Sequence, residues 1–311
     1  MLINRRDFTT FTALGTFSLI NSMKNSAHAQ EGKLLRLGGP VFEKYHSPEE
    51  WVTAVKNLGY RAAYCPVGTD APDDAVRAYR DAARQADIVI AEVGAWSNLI
   101  DRNDAERKKA LEMNIACLDL ADRIGANCCV NISGSRGATW HGPHPDDVTQ
   151  ETFDFIVETV RAIIDAVKPT NTYYTLETMP WSFPYDADTY LRLFHAIDRK
   201  RFAAHFDPVN LVNSPLRYFD TTSLIREFFE KLGPHIKSCH AKDIILSDKL
   251  TVHLDEIQPG EGGLDYKTFL RELSRYPEVP LMLEHLQTAE EYKQAADYIR
   301  AQAAEQDLRF S

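Results

Sequence analysis

Short apolar runs alternate along this chain with longer stretches in which apolar residues recur every three or four positions. The runs read as strands covered on both faces, the longer stretches as amphipathic helices. Leu34–Val41 is the first strand. Ser47-Pro48-Glu49-Glu50 opens a helix, with Ser as cap, Pro at the first helical position and acids in the first turn, and Gly59 closes it. Ala62–Val67 with a helix over 72–86, Ile88–Val93 with Asp104–Ile124, and Cys128–Ser133 with a helix over 151–167 complete the first half. The second half repeats the rhythm. Tyr173–Glu177 precedes a helix over 186–197, Phe202–Asp207 one over 222–232, Ile236–His240 one over 266–274, and Leu281–Glu284 one over 289–303.

Eight strand–helix units with no long Pro- or Gly-rich linker predict a single α/β domain, a closed (β/α)8 TIM barrel. A doubly wound sheet would need only five or six units. Gly38-Gly39-Pro40 also lacks the spacing of a dinucleotide-binding glycine loop.

Residues 1–29 fall outside this rhythm. Arg5-Arg6 precedes a modestly apolar stretch, Phe11–Ile20, and then Ala27-His28-Ala29, the order of a twin-arginine-type signal peptide with a small-x-small cleavage site. The stretch is too short for a span of ~20 helical residues. The expectation is a periplasmic or secreted protein whose barrel occupies residues 30–311, with no stable membrane span after processing. A net charge of −10 argues against a nucleic-acid partner, which would favour a basic face. Five cysteines include no Cys-x-x-Cys pair, so neither a zinc ribbon nor a disulfide framework follows. A possible homo-oligomer is left open by the sequence.

The chemistry-bearing residues stand at the ends of the last four strands. Glu177, Asp207, His240 and Glu284 each close an apolar run and lie 30, 33 and 44 residues apart, about one unit each. An unpaired charge there would cost several kcal/mol, so partners or a metal are required. In a barrel all four emerge on the catalytic rim. Three carboxylates and an imidazole suit one divalent metal ion, Mn²⁺, Mg²⁺, Co²⁺ or Zn²⁺.

Leu-Glu-Thr-Met-Pro, His-Phe-Asp-Pro-Val-Asn, Cys-His-Ala-Lys-Asp, Gly-Glu-Gly-Gly-Leu-Asp-Tyr and Leu-Met-Leu-Glu-His resemble the xylose-isomerase-like sugar isomerase/epimerase barrels, most specifically over residues 173–286. The resemblance implies that Glu177, Asp207, His240 and Glu284 bind the metal, commonly Mn²⁺, and that Glu177 and Glu284 also act as acid and base. Two positions depart from the ketose 3-epimerases: Asn210 replaces a usual histidine and Leu246 a usual arginine.

Strand alternation points His205 inward with Asp207, and Lys242 inward with His240, as substrate contacts or, for His205, a partner behind the metal ligands. Asp243 and His285 should point away. The long loop 134–145 offers Trp140 and His141 to a sugar, with Arg136 and His144 as further candidates, and Glu92, Trp96 and Trp181 are candidate walls. Asn210 completes the expected substrate contacts. Gln258–Gly263 carries no Lys and opens no helix, which disfavours a phosphorylated ligand. The expected activity is enolisation of an unphosphorylated keto-sugar by an isomerase or epimerase. The alternatives are a lyase or hydratase acting on 3-keto-glycosides, and a non-catalytic carbohydrate-binding barrel. A relative of the apurinic endonucleases is disfavoured by the acidic charge.

Overall fold

In the computed structural model, which describes residues 34–311, the apolar runs become parallel strands: β1 (Leu34–Gly39), β2 (Ala62–Tyr64), β3 (Val89–Gly94), β4 (Cys128–Asn131), β5 (Tyr173–Glu177), β6 (Phe202–Phe206), β7 (Ile236–Ala241) and β8 (Pro280–Leu283). Each pairs with its sequence neighbour, and β8 pairs back onto β1 through Arg36–Pro280, Leu37–Leu281 and Gly38–Met282, which closes the barrel. The twin-arginine-type leader lies outside the described residues. No helix among the described residues is long and apolar enough to cross a membrane.

The helices start and stop where their sequences dictate. Ser47 accepts a hydrogen bond from Glu50 N at the start of Pro48–Asn57, Asn103 caps Asp104–Ile124, and Asp186 and Thr288 each form a capping box. Gly125 ends its helix in the left-handed conformation that suits glycine. Outward-facing strand residues and inward-facing helix residues, such as Leu35, Cys239, Phe206 and Phe228, form the main core. Inside the barrel the floor is small and apolar, built from Ala62, Ala91 and Met282. Above it the interior turns polar.

Two irregularities shape that interior. Ala63 pairs with Ile90 but Tyr64 with Glu92, so β3 holds one extra residue, and this bulge turns Glu92 into the barrel next to the inward Ala91. A second lies between β6 and β7, where Ala204 pairs with Ile236 but His205 with Ser238. The segment between β7 and the helix expected over 266–274 carries strands that the sequence pattern did not mark. Asp243–Leu246 and Leu254–Ile257 form an antiparallel hairpin, which holds Leu246 and presents Glu256. Short helices Pro208–Leu211 and Pro215–Phe219 also precede the sixth main helix.

Asp243 fastens this region. Its carboxylate accepts backbone N–H bonds from Ile244 and Leu264 at Oδ1 and from Gly260 and Gly262 at Oδ2, all at 2.9–3.2 Å. Backbone donors of loop 258–264 that a phosphate would need are thus already engaged. Replacing Asp243 with Ala should lower stability by about 3 kcal/mol, because several sheltered donors lose one charged acceptor. Thermal or urea denaturation checks this, and an unchanged midpoint would refute the role.

Candidate metal centre

β5, β6, β7 and β8 end side by side, so the residues at their tips meet. Glu177, Asp207, His240 and Glu284 each offer one ligand atom, and these atoms all lie within 4.8 Å of one another. His240 Nδ1 faces Glu284 Oε1 at 2.8 Å, Glu177 Oε1 at 3.3 Å and Asp207 Oδ2 at 3.7 Å. Asp207 uses its other oxygen to accept the N–H groups of Val209 and Asn210, capping the short helix that follows.

The donor set fits a divalent cation on an independent ground. Asp207 Oδ2, His240 Nδ1 and Glu284 Oε1 are buried and make no hydrogen bond of acceptable geometry. Native interiors rarely leave such atoms unpartnered. The Lys242 ammonium lies 2.7 Å from Asp207 Oδ2 and 2.8 Å from Glu284 Oε1, an ionic contact that offsets part of the negative charge. Three hard oxygens and one imidazole nitrogen match Mn²⁺, Mg²⁺ or a related ion.

Behind His240 sits Glu92, which is fully buried. It lies 3.4 Å from His240 Nε2 and 3.0 Å from His205 Nε2, and accepts a short hydrogen bond from Ser238 Oγ. A carboxylate on the far nitrogen fixes the tautomer in which Nδ1 presents its lone pair to the cluster. Glu92 is therefore no cavity wall, as the strand pattern suggested. The β3 bulge turns it into the barrel, but at the level of His205 and Ser238, beneath the cavity. For His205 the structure decides between the two expected roles, and it is the partner behind the metal ligands rather than a substrate contact. It points inward as expected, but it is 0% exposed, packs 4.2 Å from the His240 ring and is held by Glu92, so no substrate reaches it.

The other expected contacts divide. Lys242, Asn210, Trp140 and His141 line one cavity of about 750 Å³ together with Glu177 and Glu284. Asn210 Nδ2 donates to Glu177 Oε1 at 2.9 Å, so this departure from the epimerase pattern orients one of the glutamates. Arg136 and His144 face elsewhere. Arg136 is tied to Asp147 and Thr152, and His144 caps a turn through Asp146 N, so both fasten the loop. Two residues were missed. His285 turns to the cavity rim because its φ of 61° breaks strand alternation, an uncommon conformation outside glycine. Glu256, carried by the unexpected hairpin, meets it at 3.0 Å and lies 3.4 Å from Lys242 Nζ.

Burial opposes charge on every group here, and the neighbouring charges override it on all but Glu177. Glu284 is driven up by burial, but His240 and Lys242 prevail and hold it at about 2. Asp207 is likewise held well below the usual carboxylate range by Lys242 and His240, against burial. Glu177 ends raised, because burial, reinforced by the Glu284 charge, outweighs the pull of His240. Burial lowers His240 and Lys242, yet the surrounding carboxylates, Glu284 for the first and Asp207 for the second, lift both well above their ordinary values.

These directions give a pH prediction. A histidine ligand must give up its proton at Nδ1, and His240 holds that proton beyond its ordinary pKa near 6.5. Affinity for Mn²⁺ should therefore rise with pH between 6 and 8.5, with proton release on binding. Chelator-competition titrations at the two ends of that range check this, and a pH-independent affinity would refute it.

The xylose isomerase-like TIM barrel family model matches residues 52–302. No curated protein matches the chain. Among solved structures, a probable 3-DHS dehydratase involved in petrobactin synthesis from Bacillus anthracis superposes with a TM-score of 0.64 at 16% identity, covering 86% of this chain and 98% of that one. The 3-keto-D-glucoside 4-epimerase of E. coli gives 0.61 at 13% identity, covering 86% and 99%. A xylose isomerase-like TIM barrel protein from Mycobacterium smegmatis, in complex with magnesium, gives 0.60 at 14% identity, covering 86% and 95%. At these identities the likeness speaks for the fold alone.

Proposed function

The chain belongs to the xylose isomerase-like TIM barrel family, and from that premise we propose that it is a divalent-metal-dependent isomerase or epimerase of an unphosphorylated keto-sugar, working through an enediolate. One observation carries the reading. Four consecutive strands deliver Glu177, Asp207, His240 and Glu284 to one point, where three buried donor atoms lack hydrogen-bond partners. When bound, the cation would supply Lewis acidity and a template for a carbonyl and its neighbouring hydroxyl.

The remaining work falls to the chain's own groups. Asp207 and His240 hold, with Glu92 orienting His240 from behind. Glu177 and Glu284 both line the cavity and take and return the α-proton. Return to the other face gives an epimer, and return to the neighbouring carbon gives an isomer. Lys242 donates to the oxygen that gains charge, and Asn210 keeps Glu177 in place.

Elimination or hydration at the same site is the second reading, favoured by the His285–Glu256 pair at the rim. Expelling a leaving group needs a further proton donor, which a simple epimerase does not. The similarity to a dehydratase and to a 3-keto-glucoside epimerase is compatible with either outcome. The twin-arginine-type leader supports an enzyme acting outside the cytoplasm, and cell fractionation tests that.

A panel of ketohexoses and 3-keto-glucosides incubated in D₂O and followed by NMR tests the reading. One carbon-bound proton should exchange, and the product spectrum separates epimer, isomer and alkene. No exchange with any member would sink the enolising reading and favour a carbohydrate-binding barrel.

A further inference from the structure

Three of the chain's four tryptophans, Trp96, Trp140 and Trp181, line the cavity that holds Glu177 and Glu284, and the fourth, Trp51, is buried on the core face of the helix Pro48–Asn57. The three are 46%, 37% and 37% exposed. Such apolar area in one concave site is more than a folded chain leaves to water without use.

The rings are also held in place. Trp181 Nε1 donates to His141 O at 3.0 Å, which ties the loop after β5 to the loop after β4. The Trp140 ring stands edge-on to His141 at 5.2 Å. Trp96 lies against Gly94, where a Cβ would come 2.4 Å from the indole nitrogen, so the glycine leaves room for that ring. A preformed aromatic surface loses little entropy on binding.

Size points the same way. A free hexose has a dozen non-hydrogen atoms. Even at a water-like ~30 Å³ each it would fill about 360 Å³, roughly half of this cavity. A lone ketose would leave about half of the cavity that these tryptophans help to wall unfilled.

We propose that Trp96, Trp140 and Trp181 form a subsite for a ring-shaped aglycone, so that the substrate is a keto-glycoside rather than a free keto-sugar. The flat face of an aryl group and the apolar face of a second sugar ring share the stacking chemistry this wall offers. The inference deepens the keto-sugar reading and rests on it for the identity of the reacting ring.

Binding and reaction are tested apart. Methyl, phenyl and glucosyl β-glucosides lack the carbonyl and do not react, so calorimetry on the metal-loaded protein reads the subsite alone. The phenyl or the glucosyl compound should bind about tenfold or more tightly than the methyl compound, and which one leads identifies the aglycone. Trp96→Ala and Trp181→Ala should each erase most of that preference, and Gly94→Ala, which displaces the Trp96 ring, should weaken it. Equal binding of all three glucosides, or a preference that survives both tryptophan variants, overturns the subsite. Proton exchange on methyl 3-keto-glucoside in D₂O separately tests the enolising reading. A lasting aglycone preference without exchange would refute that reading while the subsite stands.

Discussion

Replacing Glu284 or Glu177 with Gln will slow α-proton exchange by about a thousandfold, within the range that positioned acid–base groups contribute. Gln keeps the shape and can still hydrogen-bond, so the chain should fold, and a normal melting curve would document this. Two causes must then be separated, because both residues belong to the donor cluster. Metal content measured on the same variants does so. A variant that retains its ion but loses exchange has lost the proton carrier, whereas one that loses both has lost the ligand. Asn210→Ala should act more mildly, about tenfold, since it frees Glu177 to move without removing its carboxylate. Wild-type exchange in both glutamine variants would remove the two residues from the mechanism.

Glu92→Ala should be the most damaging single change to stability. It removes the shared acceptor of His205, Ser238 and His240, all fully buried, and leaves three polar side chains without it. Breaking a buried ion pair from one side costs roughly 3–5 kcal/mol. For a chain of this size that corresponds to a melting temperature about 5–8 °C lower. The low pKa of Glu92, held down by His240 and His205 against burial, sets the sign with pH. Its contribution is present above the ordinary carboxylate pKa and is lost as pH falls below it, so the gap between wild type and variant should narrow in acid. Glu92→Gln keeps the shape but not the charge, and should bind metal ten- to a hundredfold more weakly. Calorimetric melts and chelator competition measure both effects, and a Glu92→Ala protein that melts with the wild type would contradict the assignment.

The barrel and its four converging residues were legible because they depend on local rules. Apolar runs, caps such as Ser47 and Asn103, and terminal glycines such as Gly125 mark each unit, and a polar residue at the tip of a buried run stands out. What stayed hidden depends on departures from regular geometry. Glu92 needed the β3 bulge to face inward. His285 needed a left-handed backbone to reach the rim. Glu256 needed the hairpin Asp243–Leu246/Leu254–Ile257, whose strands of four residues each are too short to announce themselves. His205 was placed on the correct face with its depth left open between substrate and metal ligands, because alternation gives direction and says nothing of the layer beneath the cavity.

The hairpin also bears on specificity. Where ketose 3-epimerases usually carry an arginine, this chain has Leu246 in the hairpin. The facing strand supplies the acidic Glu256, engaged with Lys242 and His285. The cavity mouth thus has a charge pattern of its own, which agrees with a substrate other than a free ketohexose.

The metal centre stands or falls on elemental analysis of the purified, dialysed protein. About one divalent ion per chain is expected, lost in the Glu177→Gln/Asp207→Asn double variant together with proton exchange. A wild-type protein that exchanges the substrate's α-proton while holding no metal would contradict it.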